Sequence, residues 1–244
     1  MARLARLVVP GLPHHVTQRG NGRAQTFFDS ADYALYRDLL AASCRAADVE
    51  IWSWVLMPNH VHLILVPTDA DGLRRALAPV HGRYAGTVQA RLRRTGHFWQ
   101  GRFGAVVMDE DHLAAAVRYV ALNPVRAGLV RAAGDWPWSS VPAHLSGQDD
   151  GMTAIRPILD RYPDFGEFIA DEGTPDMLGR LRRAETIGRP LGDEGFIRTL
   201  ETSTGRSLRP GKRGPKPRAE AGATGKLSGQ ADDDGGAVFD TIEA

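Results

Sequence analysis

The chain has 244 residues, of which 43% are hydrophobic and 24% charged, a composition typical of a soluble globular protein with one full domain and appendages. No apolar run approaches the roughly 20 residues that a membrane span needs, and the first residues lack the long apolar core of a signal peptide. The single cysteine, Cys44, cannot form an intramolecular disulfide. We therefore expect no membrane association and a cytoplasmic location.

The net charge of +1 conceals an uneven distribution of charge along the chain. Residues 1–131 carry 16 arginines against 10 acidic residues, whereas residues 219–244 carry six acidic residues against one lysine. A basic body of this kind suits a polyanionic partner such as nucleic acid. The arginine bias of a GC-rich genome would produce the same excess, so charge alone leaves the partner open.

Seven segments carry strand or helix patterns. Strands are predicted over residues 14–19, 51–56, 60–66 and 103–108; a first helix starts at Asp29 or Ser30, and further helices cover 71–94 and 109–122. The order β-α-β-β-α-β with an added helix predicts an α+β fold of the ferredoxin-like, split βαβ type. We expect an antiparallel sheet with helices on one face and the strand at 60–66 in its centre.

Two histidines, His60 and His62, lie in an apolar, β-branched strand. Alternation places both imidazoles on one face of the sheet while Val61 points into the core. Two imidazoles buried side by side are costly unless something binds them, which favours a divalent metal over hydrogen-bonded core histidines. The His-x-His-x-His strand of nucleotide hydrolases and transferases is a poor alternative because Ile64 occupies its third position.

The last predicted helix carries Tyr119 and Asn123, which are four residues apart and share one helical face. We expect Pro124 to take Asn123 out of the regular helix and to end it. A tyrosine nucleophile beside a two-histidine metal site could cleave a phosphodiester and keep the bond energy in a covalent phosphotyrosine. The alternative for Tyr119 is an aromatic side chain packed in the core, and the alternative for Asn123 is an ordinary residue at the end of a helix.

Four segments with this order and spacing resemble the REP-associated tyrosine transposases, a branch of the single-tyrosine HUH transposases. They are residues 13–20 (PHHVTQRG), 57–62 (MPNHVH), 96–103 (GHFWQGRF) and 119–130 (YVALNPVRAGLV). The resemblance covers residues 10–145 and includes the aromatic segment 136–140 (WPWSS), which we expect to pack back on the body.

The resemblance implies a role for each matching residue. His60 and His62 would be the metal ligands, Asn123 the third polar ligand, and Tyr119 the nucleophile that forms a 5′-phosphotyrosine and leaves a free 3′-hydroxyl. The metal would be Mg²⁺ or Mn²⁺, although imidazole ligands by their softness suit transition metals better. His14, His15 and His97 are expected to be structural.

The implied substrate is single-stranded DNA folded into short imperfect hairpins, such as REP-like palindromes. The predicted DNA contacts are Arg19, Arg23, Trp99, Gln100, Arg102, Arg118 and Arg126. A solvated surface charge is the alternative for each arginine, and a core aromatic is the alternative for Trp99. The resemblance favours a monomer whose tyrosine helix serves its own site, with a helix-exchanged dimer as the alternative.

The predicted organisation is a catalytic domain over residues 1–145, a small helical extension over 146–205, and a basic then acidic disordered tail over 206–244. The predicted function is that of a transposase that cleaves and rejoins hairpin-containing single-stranded DNA. Two alternatives remain open from the sequence: a catalytically silent hairpin-binding protein, and a metal-dependent phosphodiesterase in which Tyr119 is structural.

Overall fold

The structure is a computed structural model that describes residues 6–171 and 174–209. Its strands are β1 (His14–Arg19), β2 (Val49–Met57), β3 (His60–Pro67) and β4 (Gly104–Val107). Its helices are α1 (Ser30–Ala46), α2 (Gly72–Leu92), α3 (Glu110–Arg126), α4 (Val141–Ser146), α5 (Arg156–Leu159), α6 (Phe165–Ala170), α7 (Pro175–Ile187) and α8 (Glu194–Thr204). The acidic part of the predicted tail lies outside the described residues.

The four strands form one antiparallel sheet in the order β2-β3-β1-β4. This order confirms the predicted α+β fold and the central position of β3. The register between β1 and β3 sets Arg19 opposite His60 and Thr17 opposite His62. Residues opposite each other in an antiparallel pair point to the same face, so odd-numbered residues of β1 share the face of the two histidines.

The sheet is covered on both faces, which corrects the expectation that helices lie on one face only. Val61, Leu63 and Leu65 of β3 belong to the core formed with α1 and α2. The opposite face of the sheet packs against α3, whose buried stripe includes Leu113, Val117 and Val120. Because α3 must bury this stripe, it crosses the face that would otherwise be open.

The prediction that Pro124 ends the helix at Asn123 is wrong. Helix α3 continues through Pro124 to Arg126 and ends in a Schellman motif, in which Leu129 N donates to Pro124 O at 2.9 Å and Gly128 N to Val125 O at 2.9 Å. Gly128 adopts the left-handed conformation that this motif requires, with φ of 68°. The Schellman bonds satisfy the carbonyl oxygens of Pro124 and Val125 at the end of the helix.

Both edges of the sheet are covered by later segments of the chain. Along β2, Leu56 N donates to Trp138 O at 2.9 Å and Ser140 N to Trp54 O at 3.0 Å, which confirms that residues 136–140 pack back on the body. Along β4, Leu191 N donates to Val107 O at 2.9 Å. None of the helices in the described parts of the chain is long and apolar enough to cross a membrane.

Helices α5 to α7, which lie in the segment predicted as a small helical extension, pack into the same core cluster as α3. Their buried contributions are Ile158, Phe165, Phe168, Ile169, Leu181 and Ala184. At the start of the predicted tail, Leu208 is buried in a small cluster with Leu7 and Val107. The described residues therefore form one compact unit that ends at Arg209.

Candidate active site

The two histidines of β3 lie on the sheet face that α3 covers. Their ring centroids are 4.9 Å apart, and the rings are nearly perpendicular, at 88°. His62 is completely buried, His60 partly, and Val61 between them is buried in the core on the opposite face. The alternation expected from the sequence therefore sets two imidazoles side by side.

Asn59 fixes the orientation of His60. The Nδ1 of His60 lies 2.6 Å from Oδ1 of Asn59, and Nδ2 of Asn59 donates to the backbone oxygen of Arg23 at 3.1 Å. An amide oxygen only accepts, so the His60 Nδ1 carries the proton and Nε2 carries the lone pair. From the sequence, Asn59 is predicted only as a turn residue; its role follows from its position next to His60.

His15 makes the corresponding contact to His62. The Nε2 of His15 lies 3.0 Å from Nδ1 of His62, and the rings stack with centroids 5.1 Å apart at 15°. When His62 donates from Nδ1, its Nε2 carries the lone pair, as in His60. The sequence predicts a structural role for His15, and the structure places this side chain directly behind the histidine pair.

The imidazoles of this site are neutral near pH 7. Burial lowers the pKa of His15 to about 4, and burial together with the charge of Arg19 lowers the pKa of His60 to about 4. Burial, with the neighbouring His15, His60 and Arg19, holds the pKa of His62 well below its ordinary value. Neutral imidazole is the form that binds a metal ion.

Tyr119 of α3 contacts the histidine pair from the helix side. Its ring centroid lies 5.1 Å from that of His62 at 84°, and 6.1 Å from that of His15 at 83°. The tyrosine is 8% exposed. Asn123 lies one turn further along α3 and is 9% exposed. The structure thus brings Tyr119 to the histidines, while the role of Asn123 as a ligand stays a prediction.

Several predicted DNA contacts border the site. Arg19 lies at the end of β1 beside His60, and its backbone oxygen accepts from Gln100 N at 2.9 Å. Arg23, Gln100 and Arg102 are exposed. Asn59 Nδ2 donates to the backbone oxygen of Arg23, so Arg23 lies beside the turn that precedes His60.

Trp99 lies in an aromatic cluster rather than on an open surface. Its Nε1 donates to the backbone oxygen of His81 at 3.0 Å, and its ring centroid lies 4.7 Å from Phe98 and 5.9 Å from Tyr84. The ring is half-buried. These contacts support the core alternative for Trp99, and its role in stacking on a base stays a prediction.

Arg118 is held by contacts within the protein. Its Nε donates to the backbone oxygen of Phe168 at 3.0 Å, its guanidinium lies 4.1 Å from the ring centroid of Phe168, and it forms an ion pair with Asp171 at 3.5 Å. These contacts compete with the predicted DNA contact of Arg118. Arg126 is half-buried in the last turn of α3, and its DNA contact also stays a prediction.

The donors for a metal ion at this site are few. Within residues 6–171 and 174–209, no three or more side chains of the His, Cys, Asp or Glu type are grouped so that they could hold a metal ion. The protein side of the site would therefore consist of the two imidazoles and an amide, with further oxygen ligands supplied from outside the chain. Imidazole nitrogens suit transition metals, whereas amide and phosphate oxygens suit Mg²⁺ and Mn²⁺.

Comparisons with known proteins identify a matching sequence family and similar proteins. Residues 8–123 match the sequence family described as "Transposase IS200 like". A REP-associated tyrosine transposase of Escherichia coli K12 is 27% identical over 122 residues, which cover 49% of this chain and 70% of the relative. A relative from Haemophilus influenzae, provisionally assigned to the same group, is 26% identical over 131 residues, covering 48% of this chain and 74% of the relative.

One solved structure supports the fold. It is described as a REP-associated tyrosine transposase bound to a REP hairpin, and it aligns with a TM-score of 0.52 and 24% identity over 63% of this chain and 92% of that protein. At this level of identity the alignment establishes the shared fold.

Proposed function

We propose that this protein, whose residues 8–123 match the IS200-like transposase family, cleaves and rejoins single-stranded DNA that carries hairpins, through a covalent bond to Tyr119. The observation that carries the proposal is the contact between Tyr119 and His62, whose ring centroids are 5.1 Å apart. A phenol beside two neutral imidazoles places a nucleophile next to groups that can hold a cation at the reacting phosphate.

The chemistry at Tyr119 is a transesterification. The phenol oxygen attacks phosphorus, the bond from phosphorus to O3′ breaks, and the product is a 5′-phosphotyrosine with a free 3′-hydroxyl. Attack by another 3′-hydroxyl reverses the step and rejoins the strand without an external energy source. The packing of α3 on the sheet holds Tyr119 at a fixed place for both steps.

A divalent cation, Mg²⁺ or Mn²⁺, would be held by His60, His62 and Asn123 and would supply polarisation of a phosphate oxygen. The hydrogen bonds of His60 with Asn59 and of His62 with His15 support this assignment, because each engages the Nδ1 of one imidazole, so that Nε2 would be the ligand atom of each ring. The same hydrogen bonds hold the two rings in their perpendicular arrangement whether or not a cation is bound.

The proposed partner is a DNA hairpin flanked by single strand. The solved relative bound to a REP hairpin supports this substrate class, as do the half-buried Arg19 beside His60 and the exposed Arg23, Gln100 and Arg102. Guanidinium groups match phosphate and guanine acceptors. We propose that the protein acts as a monomer, since Tyr119 contacts His62 of its own chain.

Labelled hairpin DNA with Mn²⁺, analysed on a denaturing gel, tests the proposal. With a label at the 3′ end, we expect a covalent protein–DNA band; with a label at the 5′ end, we expect a shortened free strand. Tyr119→Phe should remove both signals, whereas His62→Ala should abolish cleavage and leave hairpin affinity largely intact.

The same experiment separates the alternatives. Release of both fragments without a covalent band would indicate a phosphodiesterase, and tight binding without cleavage a silent hairpin-binding protein. A covalent band that persists in Tyr119→Phe would refute the assignment of the nucleophile.

A further inference from the structure

Helix α7 lies beyond the segment that matches the transposase family, yet it returns to Tyr119. The family match ends at residue 123, and α7 covers Pro175–Ile187. Leu181 is fully buried and Ala184 nearly so, and both belong to the core cluster that contains Tyr119. This packing fixes the position of α7 against the helix that carries the nucleophile.

The residue next to Leu181 is Arg182, which lies over the nucleophile. Its guanidinium carbon is 5.8 Å from the centroid of the Tyr119 ring, and its side chain is exposed. No carboxylate in the described part of the chain forms an ion pair with Arg182, whereas the adjacent Arg183 pairs with Asp176 at 4.0 Å. Arg182 is thus an accessible cation next to the phenol.

We propose that Arg182 is a catalytic residue that contacts the scissile phosphate, an inference that rests on the proposed function. For attack, the phosphorus must lie about 3–3.5 Å from the phenol oxygen. A phosphate at that place is within reach of a guanidinium that already lies over the Tyr119 ring, and the fork of two N–H groups matches two phosphate oxygens.

Arg182 stabilises charge without taking part in proton transfer. As the bond from the phenol oxygen to phosphorus forms and the bond to O3′ breaks, negative charge builds on the non-bridging oxygens. The phenol proton passes to solvent, and the departing O3′ takes a proton from solvent. The guanidinium keeps its own protons throughout and pairs with those oxygens most strongly in the transition state.

The test compares Arg182→Gln with Arg183→Gln, a matched control that removes the same charge from the next position of the same helix. The measurement is the single-turnover rate of covalent adduct formation on labelled hairpin DNA with saturating protein and Mn²⁺. We expect Arg182→Gln to slow the rate roughly 100-fold, as the loss of one such donor does elsewhere. We expect Arg183→Gln to leave the rate unchanged and Arg182→Lys to restore part of it. The hairpin affinity of Arg182→Gln should stay within about threefold of that of the original protein, since the lost contact acts in the transition state.

A second substrate reports on the contact itself. If a methyl group replaces one non-bridging oxygen of the scissile phosphate, the guanidinium has less charge to stabilise. The loss caused by Arg182→Gln should then shrink to a few fold. A structural role for Arg182 would leave the same loss on both substrates and would lower the midpoint of thermal unfolding.

The outcomes also separate this inference from the proposed function. If the original protein forms the adduct and Arg182→Gln forms it equally fast, the role of Arg182 is overturned and the proposed function stands. Faster adduct formation by Arg182→Gln would show that Arg182 blocks access to Tyr119, and this result would overturn the catalytic role of Arg182 as well. An original protein that forms no adduct with any hairpin would overturn the proposed function and this role together.

Discussion

The Nε2 of His15 lies 3.0 Å from the Nδ1 of His62, across the pair formed by β1 and β3. This bond orients an imidazole from behind, as outer partners of metal-bound histidines do. Together with the bond that His60 Nδ1 donates to Asn59 Oδ1, it fixes the orientation of both rings by contacts that lie within the sheet and the turn between β2 and β3. The proposed cation site is therefore built before any cation binds.

The first prediction concerns this bond. His15→Phe keeps a stacked ring but removes the hydrogen bond, so we expect the dissociation constant for Mn²⁺ to rise about 10- to 100-fold. Electron paramagnetic resonance of free Mn²⁺ measures this affinity without relying on activity. The matched control is His97→Ala, which removes an exposed histidine and should leave the affinity unchanged. Equal affinities for His15→Phe and the original protein would show that His15 only fills space.

The second prediction concerns stability and pH. Burial lowers the pKa of His14 and His15 to about 4 and that of His81 to about 3 in the folded protein, against 6.5 for an ordinary histidine. As the pH falls, the unfolded chain therefore takes up these protons before the folded protein does. The contribution of the buried neutral histidines to the free energy of unfolding is complete above about pH 6.5 and decreases as the pH falls towards 4. Urea unfolding at several pH values measures this loss.

The size of the pH effect can be checked on one histidine. Each buried histidine contributes a slope of about 1.4 kcal/mol per pH unit between these pKa values. In His15→Phe the slope between pH 6 and pH 4.5 should be smaller by about that amount, and in His97→Ala it should be unchanged. A slope that does not differ between His15→Phe and the original protein would contradict the burial of His15 in neutral form.

The third prediction distinguishes the two roles considered for Trp99. Its hydrogen bond to the His81 backbone and its contacts with Phe98 and Tyr84 indicate that Trp99→Ala will lower the free energy of unfolding by about 2–3 kcal/mol, less than for a fully buried tryptophan. Trp99→Phe should cost less, because it keeps an aromatic ring in the cluster. Denaturant unfolding measures both. Hairpin affinity that stays intact in Trp99→Phe but collapses in a stably folded Trp99→Leu, which keeps apolar bulk without an aromatic face, would instead support stacking on a base.

The sequence predicts much of this site because the relevant signals are local. Alternation along β3 places His60 and His62 on one face, and a spacing of four residues places Tyr119 and Asn123 on one face of α3. The position of His15 behind His62 depends instead on the register between β1 and β3, which spans 47 residues of sequence. The residue pattern within either strand does not predict how the two strands align with each other.

Two further features escape a local interpretation for different reasons. Pro124 is unfavourable inside a helix, but α3 packs its buried stripe on the sheet and closes its last turn with the Schellman bonds around Gly128. A rule about one residue is therefore overridden by packing and by bonds that form several residues later. Arg182 reaches Tyr119 only because Leu181 and Ala184 bury α7 against the core. A short amphipathic helix predicts that one face is buried, and it does not predict which surface receives that face.

The fourth prediction concerns the arginines that are proposed to contact DNA. Arg23, next to Asn59, and Arg102 are exposed, whereas Arg118 is engaged by Phe168 and Asp171. An arginine that contacts a phosphate releases a counterion on binding, so its removal reduces the salt dependence of affinity. We expect Arg23→Ala and Arg102→Ala each to reduce the slope of log affinity against log salt by about 0.7–0.9.

Arg118→Ala is the control for Arg23→Ala and Arg102→Ala, because it also removes one positive charge but from a different part of the surface. Its contacts with α6 indicate a loss of about 1 kcal/mol in the free energy of unfolding and no change in the salt slope. Binding of a fluorescent hairpin measured from 50 to 200 mM salt gives all three slopes. If the slope falls for Arg118→Ala and stays constant for Arg23→Ala and Arg102→Ala, the duplex lies along α6 rather than beside the histidines, and the surface proposed for DNA is the wrong one.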